Sequence, residues 1–344
     1  MGNKNNPKKP FKTYNQQLKI LRNRNLTISN GSKAISVLKR DNYYNVINGY
    51  KDIFLEISGS NEKYYDNTTF EHINALSIFD KKIRHLFLYY ILTFENLIKS
   101  KISYYHTETY NEIFNYLDVN NFTGKADDIT KLISSISKEI EKHTNLKKPN
   151  AFSHYIEEHG ELPLWVLFQK STFGTASYFF TSLQDDIKLK ICEELNQEHS
   201  KRYRLENYLI INPNFLENTK MIDEKLLKIM RKISEAYTYN EYSYRNICAH
   251  NERFYNCAFQ KKGFKVDYSP YSKAEFRGTV FDLLIILKLF LLKSEFDILK
   301  KDFKKLLHKL ECELTNNKEA LKKIKTSSLR LPIDWEDILE RIWK

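Results

Sequence analysis

The stretch that decides the fold runs from residue 83 to residue 102 and reads IRHLFLYYILTFENLIKSKI. Its apolar side chains recur at steps of three and four residues, at Ile83, Phe87, Ile91, Phe94, Ile98 and Ile102. This spacing places them on one face of an α-helix. The stretch therefore predicts a long amphipathic helix. We expect a shorter helix before it, starting near Thr69 and ending at a break near Asp80.

The rest of the chain predicts further helices. Only 9 glycines and 7 prolines occur in 344 residues, so tight turns are few and long helices are favoured. Thr13, with Gln16 three residues later, has the spacing of a capping box at a helix start. The fold class is therefore all-α. We expect an N-terminal helical subdomain over residues 1–66, with a basic arm in its first ten residues, and a larger helical domain over residues 67–344.

The chain carries a net charge of +12, and such a surface attracts nucleic acid or anionic membranes. An AT-rich genome that over-uses lysine codons explains the same charge, so the charge alone leaves both interpretations open. Four cysteines without a CxxC pair, and no apolar run long enough to span a bilayer, indicate a reduced, cytoplasmic protein without membrane segments. His154 and His159 miss the zincin spacing, and we expect neither a metal nor a cofactor.

The residues that carry chemistry lie in YRNICAHNERFYN, residues 244–256. On a helix, Asn246 and His250 share a face, and Arg253 is expected one turn further along it. Arg245 lies five residues before His250, and its long side chain can reach the same edge. The pattern predicts an imidazole, a guanidinium and an amide side by side.

That combination suits RNA cleavage without a metal. A ribose 2′-OH must lose a proton to attack the neighbouring phosphorus, and the 5′-oxygen must gain one to leave. Histidine can do either near neutral pH, and a planar guanidinium stabilises the charged transition state. The expected products are a 2′,3′-cyclic phosphate and a 5′-hydroxyl. A lone histidine on a helix is more often structural or merely exposed than catalytic. The context of His250 decides between a catalytic and a non-catalytic histidine.

The context of His250 is the similarity of the surrounding sequence to known protein families. Arg-Asn-x-x-Ala-His-Asn-x-Arg, residues 245–253, resembles the Arg-x4–6-His signature of HEPN domains. Four further blocks, in the right order, are similar to the Abi-like family of abortive-infection proteins (the AbiD and AbiF group): Lys9–Leu18, Tyr43-Tyr44 with Asn48–Tyr50, Leu162–Gly174 and Pro332–Trp335. One departure is Gln169, where the family pattern leads us to expect an acidic residue.

The resemblance implies a HEPN-like helical bundle and a ribonuclease acting in phage defence as a toxin-like effector. It also implies a homodimer and an association with a small structured RNA. A dimer would supply two copies of His250, one as base and one as acid. Two alternatives remain open: a non-catalytic RNA-binding protein of the same fold, which sequesters RNA or acts through a protein partner, and an antitoxin-like interaction protein whose Arg245 and His250 are structural.

Other residues receive supporting roles. Asn251 and Arg253 belong to the signature segment, and the resemblance implies a polar residue near the catalytic pair on the preceding helix, for which Glu95 is the candidate. An ion pair between Glu95 and Lys99 is the competing interpretation and the one we favour. The RNA-binding candidates are basic residues opposite an apolar stripe, namely Lys300, Lys301, Lys304 and Lys305, although a solvated helix face is the default for such a run.

Overall fold

The computed structural model of the chain describes residues 10–59, 61–145, 150–203, 244–258, 264–265, 275–276 and 278–341. Helices dominate these residues, so the prediction of an all-α fold is confirmed. Their bounds are α1 Tyr14–Asn23, α2 Gly31–Asp41, α3 Phe70–Thr109, α4 Ala126–Thr144, α5 Ala151–His159, α6 Leu164–Leu167, α7 Phe173–Ser182, α8 Asp185–Tyr203, α9 Tyr244–Ala249, α10 Val280–Phe290, α11 Lys293–Glu313, α12 Lys318–Lys323 and α13 Trp335–Arg341.

The strands are short and form two antiparallel hairpins. β1, Leu55–Ile57, pairs with β2, Lys63–Tyr64. β3, Phe264–Lys265, pairs with β4, Glu275–Phe276. Of the basic arm predicted over the first ten residues, residues 1–9 fall outside the described residues.

By its internal contacts the chain divides into two compact units, and two of the three divisions fall inside α3 and α11. The first unit combines residues 1–83 with residues 301–331, so a C-terminal segment joins the N-terminal helices. The second contains residues 84–300 and 332–344. The domain boundary predicted between residues 66 and 67 stays a prediction.

Each unit has its own apolar core. The core of the first includes Leu21, Leu38, Phe54, Ile73, Leu76, Phe303 and Leu307, and that of the second includes Phe87, Phe94, Ile98, Leu132, Phe179, Leu284 and Leu339. All six apolar residues of the stripe that predicted the long helix are fully buried. Complete burial of each such side chain stabilises the fold by about 1.5–3 kcal/mol, and this explains why α3 forms where the pattern places it.

The predicted break near Asp80 is wrong, because α3 is one continuous helix of 40 residues that includes Asp80. Asp80 is fully buried, and its Oδ2 accepts a hydrogen bond of 2.7 Å from the hydroxyl of Tyr50. A buried carboxylate with a partner costs the helix little, whereas one without a partner would be expensive. The polar residue that resembled a helix boundary is thus a satisfied member of the core of the first unit.

The predicted helix start at Thr13 is confirmed. The hydroxyl of Thr13 accepts the backbone N–H of Gln16, and the side chain of Gln16 accepts that of Thr13, so α1 begins with a complete capping box. Asn150 caps α5 in the same way together with Ser153. None of the helices in the described part of the chain combines the length and the apolar character that crossing a membrane requires.

Candidate functional site

The signature segment begins with α9, which is fixed to the core of the second unit by one side. Tyr244 is fully buried, and its hydroxyl donates a hydrogen bond of 2.7 Å to the carbonyl oxygen of Thr279. Burial raises the pKa of the Tyr244 phenol, which therefore keeps the proton that this hydrogen bond needs. Ile247 and Cys248, three and four residues later, are buried on the same face.

The other side of α9 carries the candidate catalytic residues. Arg245 and Asn246 are partly exposed, and His250 is exposed just after the last helical residue. The backbone N–H of His250 donates to the carbonyl of Asn246 over 2.8 Å, so the helical turn that the four-residue spacing predicts is formed. The structure thus brings Asn246 and His250 onto one turn, with Arg245 at its start.

The helix ends because Asn251 adopts a left-handed backbone conformation, with φ of 61°. The backbone N–H of Glu252 donates to the carbonyl of Ile247 over 3.2 Å, which is the six-to-one hydrogen bond of a Schellman motif. Asparagine is one of the few residues that tolerates this conformation. An asparagine directly after a helix is therefore a signal from which the end of α9 could have been predicted.

This helix end invalidates one prediction. Arg253 was expected one helical turn after His250, but residues 252–254 are not helical. Because the chain reverses at Asn251, the exposed Arg253 does not continue the face that carries Asn246 and His250. Phe254, the next residue, turns into the core and packs against Phe87 with ring centroids 5.2 Å apart.

The residue that sequence reasoning missed is Arg84 on α3. It is buried, with 2% of its surface exposed, and its two terminal nitrogens reach the reversal of the chain after His250. Nη2 donates to Oδ1 of Asn251 over 2.5 Å, and Nη1 donates to the carbonyl of Glu252 over 2.7 Å. A buried guanidinium needs such acceptors, since an unpaired buried charge is costly. Nothing in the sequence joins positions 84 and 251.

Glu95 is not brought to the signature segment by any of its contacts. Its Oε1 accepts a hydrogen bond of 2.7 Å from the ammonium of Lys99, and both side chains are buried. Lys99 also donates to the carbonyl of Ser171 over 2.6 Å. Glu95 lies eleven residues after Arg84, which is about 16 Å along the helix axis. The ion pair that we favoured for Glu95 is therefore present. Gln169, the departure from the family pattern, is exposed.

The lysines proposed to bind RNA lie on α11, opposite a buried apolar stripe that includes Leu299, Phe303 and Leu307. Two of them have acidic partners: Lys300 contacts Glu340 over 2.8 Å, and Lys305 contacts Asp302 over 3.2 Å. Lys301 and Lys304 are exposed. The predicted amphipathic helix is thus confirmed, and the binding of RNA to its basic face stays a prediction.

The fold and this segment together define an all-α protein that exposes an arginine, an asparagine and a histidine at one helix end. Residues 36–256 match the family described as Abi-like protein, and this is well over half of the chain. The chain therefore belongs to the Abi-like family, which points to a role in abortive-infection defence. The matched segment contains both Arg84 and the signature turn. No curated protein and no solved structure matches the chain.

Proposed function

We propose that this Abi-like protein is a metal-independent endoribonuclease that acts as the effector of an abortive-infection response. The observation that carries the proposal is the turn formed by α9 and His250. Its apolar side is buried, while Arg245, Asn246 and His250 remain accessible to a substrate. A purely structural histidine would be expected inside the core, whereas this one is exposed beside a guanidinium and an amide.

In the proposed reaction each of these residues has one task. His250 takes the proton from the 2′-OH of the substrate ribose, which attacks the adjacent phosphorus. Arg245 donates its fork of N–H groups to the phosphate oxygens as charge builds up on them. Asn246 donates a hydrogen bond to the same phosphate or orients the imidazole. The 5′-oxygen of the downstream fragment leaves with a proton as a 5′-hydroxyl. The upstream fragment retains a 2′,3′-cyclic phosphate at its 3′ end.

The leaving oxygen needs an acid, and one protomer provides a single histidine in this turn. A homodimer with the two α9 helices facing each other across the two-fold axis would supply the second His250. The exposure of His250 in the single chain is compatible with such an arrangement, because no part of the described chain covers it. The net positive charge of the chain would favour binding of the RNA backbone through counterion release.

The proposal is tested with purified full-length protein and total cellular RNA. We expect cleavage products that end in 2′,3′-cyclic phosphate and 5′-hydroxyl groups, and we expect His250→Ala to abolish them. His159→Ala, which removes another exposed histidine at the end of α5, is the matched control and should cleave like the wild type. Circular dichroism verifies that both variants are folded. Full cleavage by a folded His250→Ala protein would exclude this mechanism.

A further inference from the structure

A cavity of about 210 Å³ lies within the first unit, between α2, α3 and the last turns of α11. Its volume is below the roughly 300–1,000 Å³ of pockets that take drug-sized molecules, so it suits a smaller ligand. The cavity belongs to a different unit from α9 and shares no residue with the candidate catalytic site. Its lining combines cations, hydrogen-bond acceptors and an apolar wall, and each of these restricts what can bind.

The cations are three exposed lysines, one from each helix: Lys33 on α2, Lys82 on α3 and Lys309 on α11. None of them forms an ion pair with another described residue. Their neighbour Lys81 shows the contrast, because its ammonium lies 2.7 Å from the carboxylate of Asp41. Three ammonium groups around one opening favour a ligand that carries phosphate.

The acceptors are Glu71 and Asn74, one turn apart on α3, and Glu313 at the end of α11. Oε2 of Glu71 is buried and accepts no hydrogen bond from any described residue. No described residue donates a hydrogen bond to the Glu71 carboxylate, so an N–H group of a ligand in the cavity would meet an acceptor without a competing donor. The ligand should therefore carry a donor, such as an amino group, as well as its phosphate.

The wall between these polar groups is apolar. It includes Ala75, Ile78 and Phe79 on α3, facing Leu306 and Leu310 on α11. On α3 the lining residues recur every three or four positions from Glu71 to Lys82, so a single helix face presents both the apolar and the polar groups. A flat apolar ring would bury its faces against such a wall.

We propose that this cavity binds one nucleotide, with its base against the apolar wall, the amino group of the base on Glu71 and its phosphate among the three lysines. Adenine, cytosine and guanine carry such an amino group, and uracil does not. This inference rests on the proposed function in one respect only, namely that the nucleotide is part of a single-stranded RNA substrate.

The surface of α11 supports an RNA strand over a free nucleotide. Lys301, Lys305 and Lys309 follow one another every four residues, so they form a row that leads to the cavity, with about 6 Å between steps along the axis. Lys305 pairs with Asp302, but both side chains are largely exposed, and exposed pairs exchange partners at little cost. The phosphates that follow the bound nucleotide would lie along this row.

The test measures binding of fluorescein-labelled eight-residue RNAs to full-length His250→Ala protein, in which the RNA stays intact. We expect oligo(A) and oligo(C) to bind more tightly than oligo(U). Ala75→Trp, which fills the cavity without changing charge, should weaken oligo(A) binding about tenfold, since stacking of one base contributes that much. Lys309→Ala should weaken it more than Lys138→Ala, a matched exposed lysine on α4. Thermal unfolding verifies that the variants fold.

Equal binding of oligo(A) by the Ala75→Trp protein would overturn the proposal for the cavity and leave the proposed cleavage reaction untouched. Equal binding of oligo(U) and oligo(A) would overturn the role of Glu71. A second arm titrates adenosine monophosphate and uridine monophosphate. If no RNA is bound or cleaved, the proposed function fails, and adenosine monophosphate binding that Ala75→Trp abolishes would still place a nucleotide in the cavity. Without binding in either arm, the cavity proposal fails as well.

Discussion

Arg84 and Asn251, 167 positions apart in the chain, are joined by a hydrogen bond of 2.5 Å from the guanidinium to the amide oxygen. The bond fixes the residue that directly follows His250, at the position where α9 ends. Because Arg84 is buried on the long helix α3, the candidate histidine is connected to that helix through a single intervening residue. The candidate catalytic turn is therefore held by a contact with the buried Arg84 as well as by its own six-residue helix.

This connection predicts different effects for two substitutions of Asn251. Asn251→Gly retains the left-handed conformation but removes the acceptor for Arg84, which should cost about 1–3 kcal/mol in the free energy of unfolding. Asn251→Ala removes the same acceptor and also forces alanine into that conformation, for roughly a further 1 kcal/mol. Urea unfolding monitored by circular dichroism measures both values. Equal stability of the two variants would contradict the assignment of the helix end.

Arg245→Lys should abolish most of the RNA cleavage while leaving the protein folded. Lysine preserves the positive charge but loses the planar fork of donors that matches phosphate oxygens. Cleavage is measured on a labelled RNA under single-turnover conditions, with Lys138→Arg, an exposed site on α4, as a control for the reverse exchange. If Arg245→Lys cleaves at the wild-type rate, charge alone is sufficient at this position.

The shared-site mechanism predicts that a dimer with one wild-type and one His250→Ala chain is nearly inactive. Its single composite site would have lost either the base or the acid. Co-expression of the two chains with different tags allows the mixed dimer to be isolated and assayed for RNA cleavage. A mixed dimer with about half the wild-type rate would show that each protomer has a complete site, with its own second proton carrier.

Cleavage should continue in excess EDTA. In the proposed reaction the nucleophile is the ribose 2′-OH, and the charge on the phosphate is stabilised by Arg245, so no step requires a divalent ion. The rate of cleavage is compared before and after dialysis against the chelator. Activity that disappears on chelation and returns with magnesium or manganese would replace this mechanism with metal-ion catalysis.

His106 predicts a sensitivity to acid that is independent of the catalytic site. It is fully buried in contact with the rings of Phe122 and Phe179, and burial lowers its pKa from 6.5 to about 4. Between these values the unfolded chain binds more protons than the folded one. The contribution of neutral His106 to the free energy of unfolding is therefore fully present above pH 6.5. It decreases as the pH falls towards 4, by up to roughly 1.4 kcal/mol per pH unit.

His106→Phe should remove this contribution, because phenylalanine fills a similar space and does not titrate. Urea unfolding at a series of pH values gives the slope for each protein, and His85→Phe, at an exposed position of α3, provides the control. An unchanged slope in the His106→Phe protein would mean that other groups cause any loss of stability in acid.

Much of the fold could be predicted because it depends on local patterns. The apolar stripe from Ile83 to Ile102 is fully buried, and the capping box at Thr13 is formed. The break expected at Asp80 shows where this reasoning ends. Its carboxylate is satisfied by Tyr50, 30 residues away, and a single sequence contains no record of such a partner.

In the candidate site, too, the features that depend on local spacing could be predicted, and those that depend on distant contacts could not. The turn from Asn246 to His250 follows from a spacing of four residues, whereas Arg253 was placed by extending the helix beyond Asn251. The contribution of Arg84 could not be predicted, because it depends on a contact between distant segments. Glu95 lies on α3 as expected, and its Oε1 forms the ion pair with Lys99 that the four-residue spacing predicts, while its supporting role stays a prediction.

The hydrogen bond from Tyr244 to Thr279 determines where the chain can be truncated. Thr279 lies beyond residue 256, where the match to the family ends, and it also caps α10 through Asp282. A fragment that stops at residue 256 would lack Thr279, which accepts the hydrogen bond of the Tyr244 hydroxyl, and would lack the apolar helix α10 from the interior of the second unit. The segment that defines the family is therefore not a portable module, and domain swaps between relatives should exchange the last helices together with the signature.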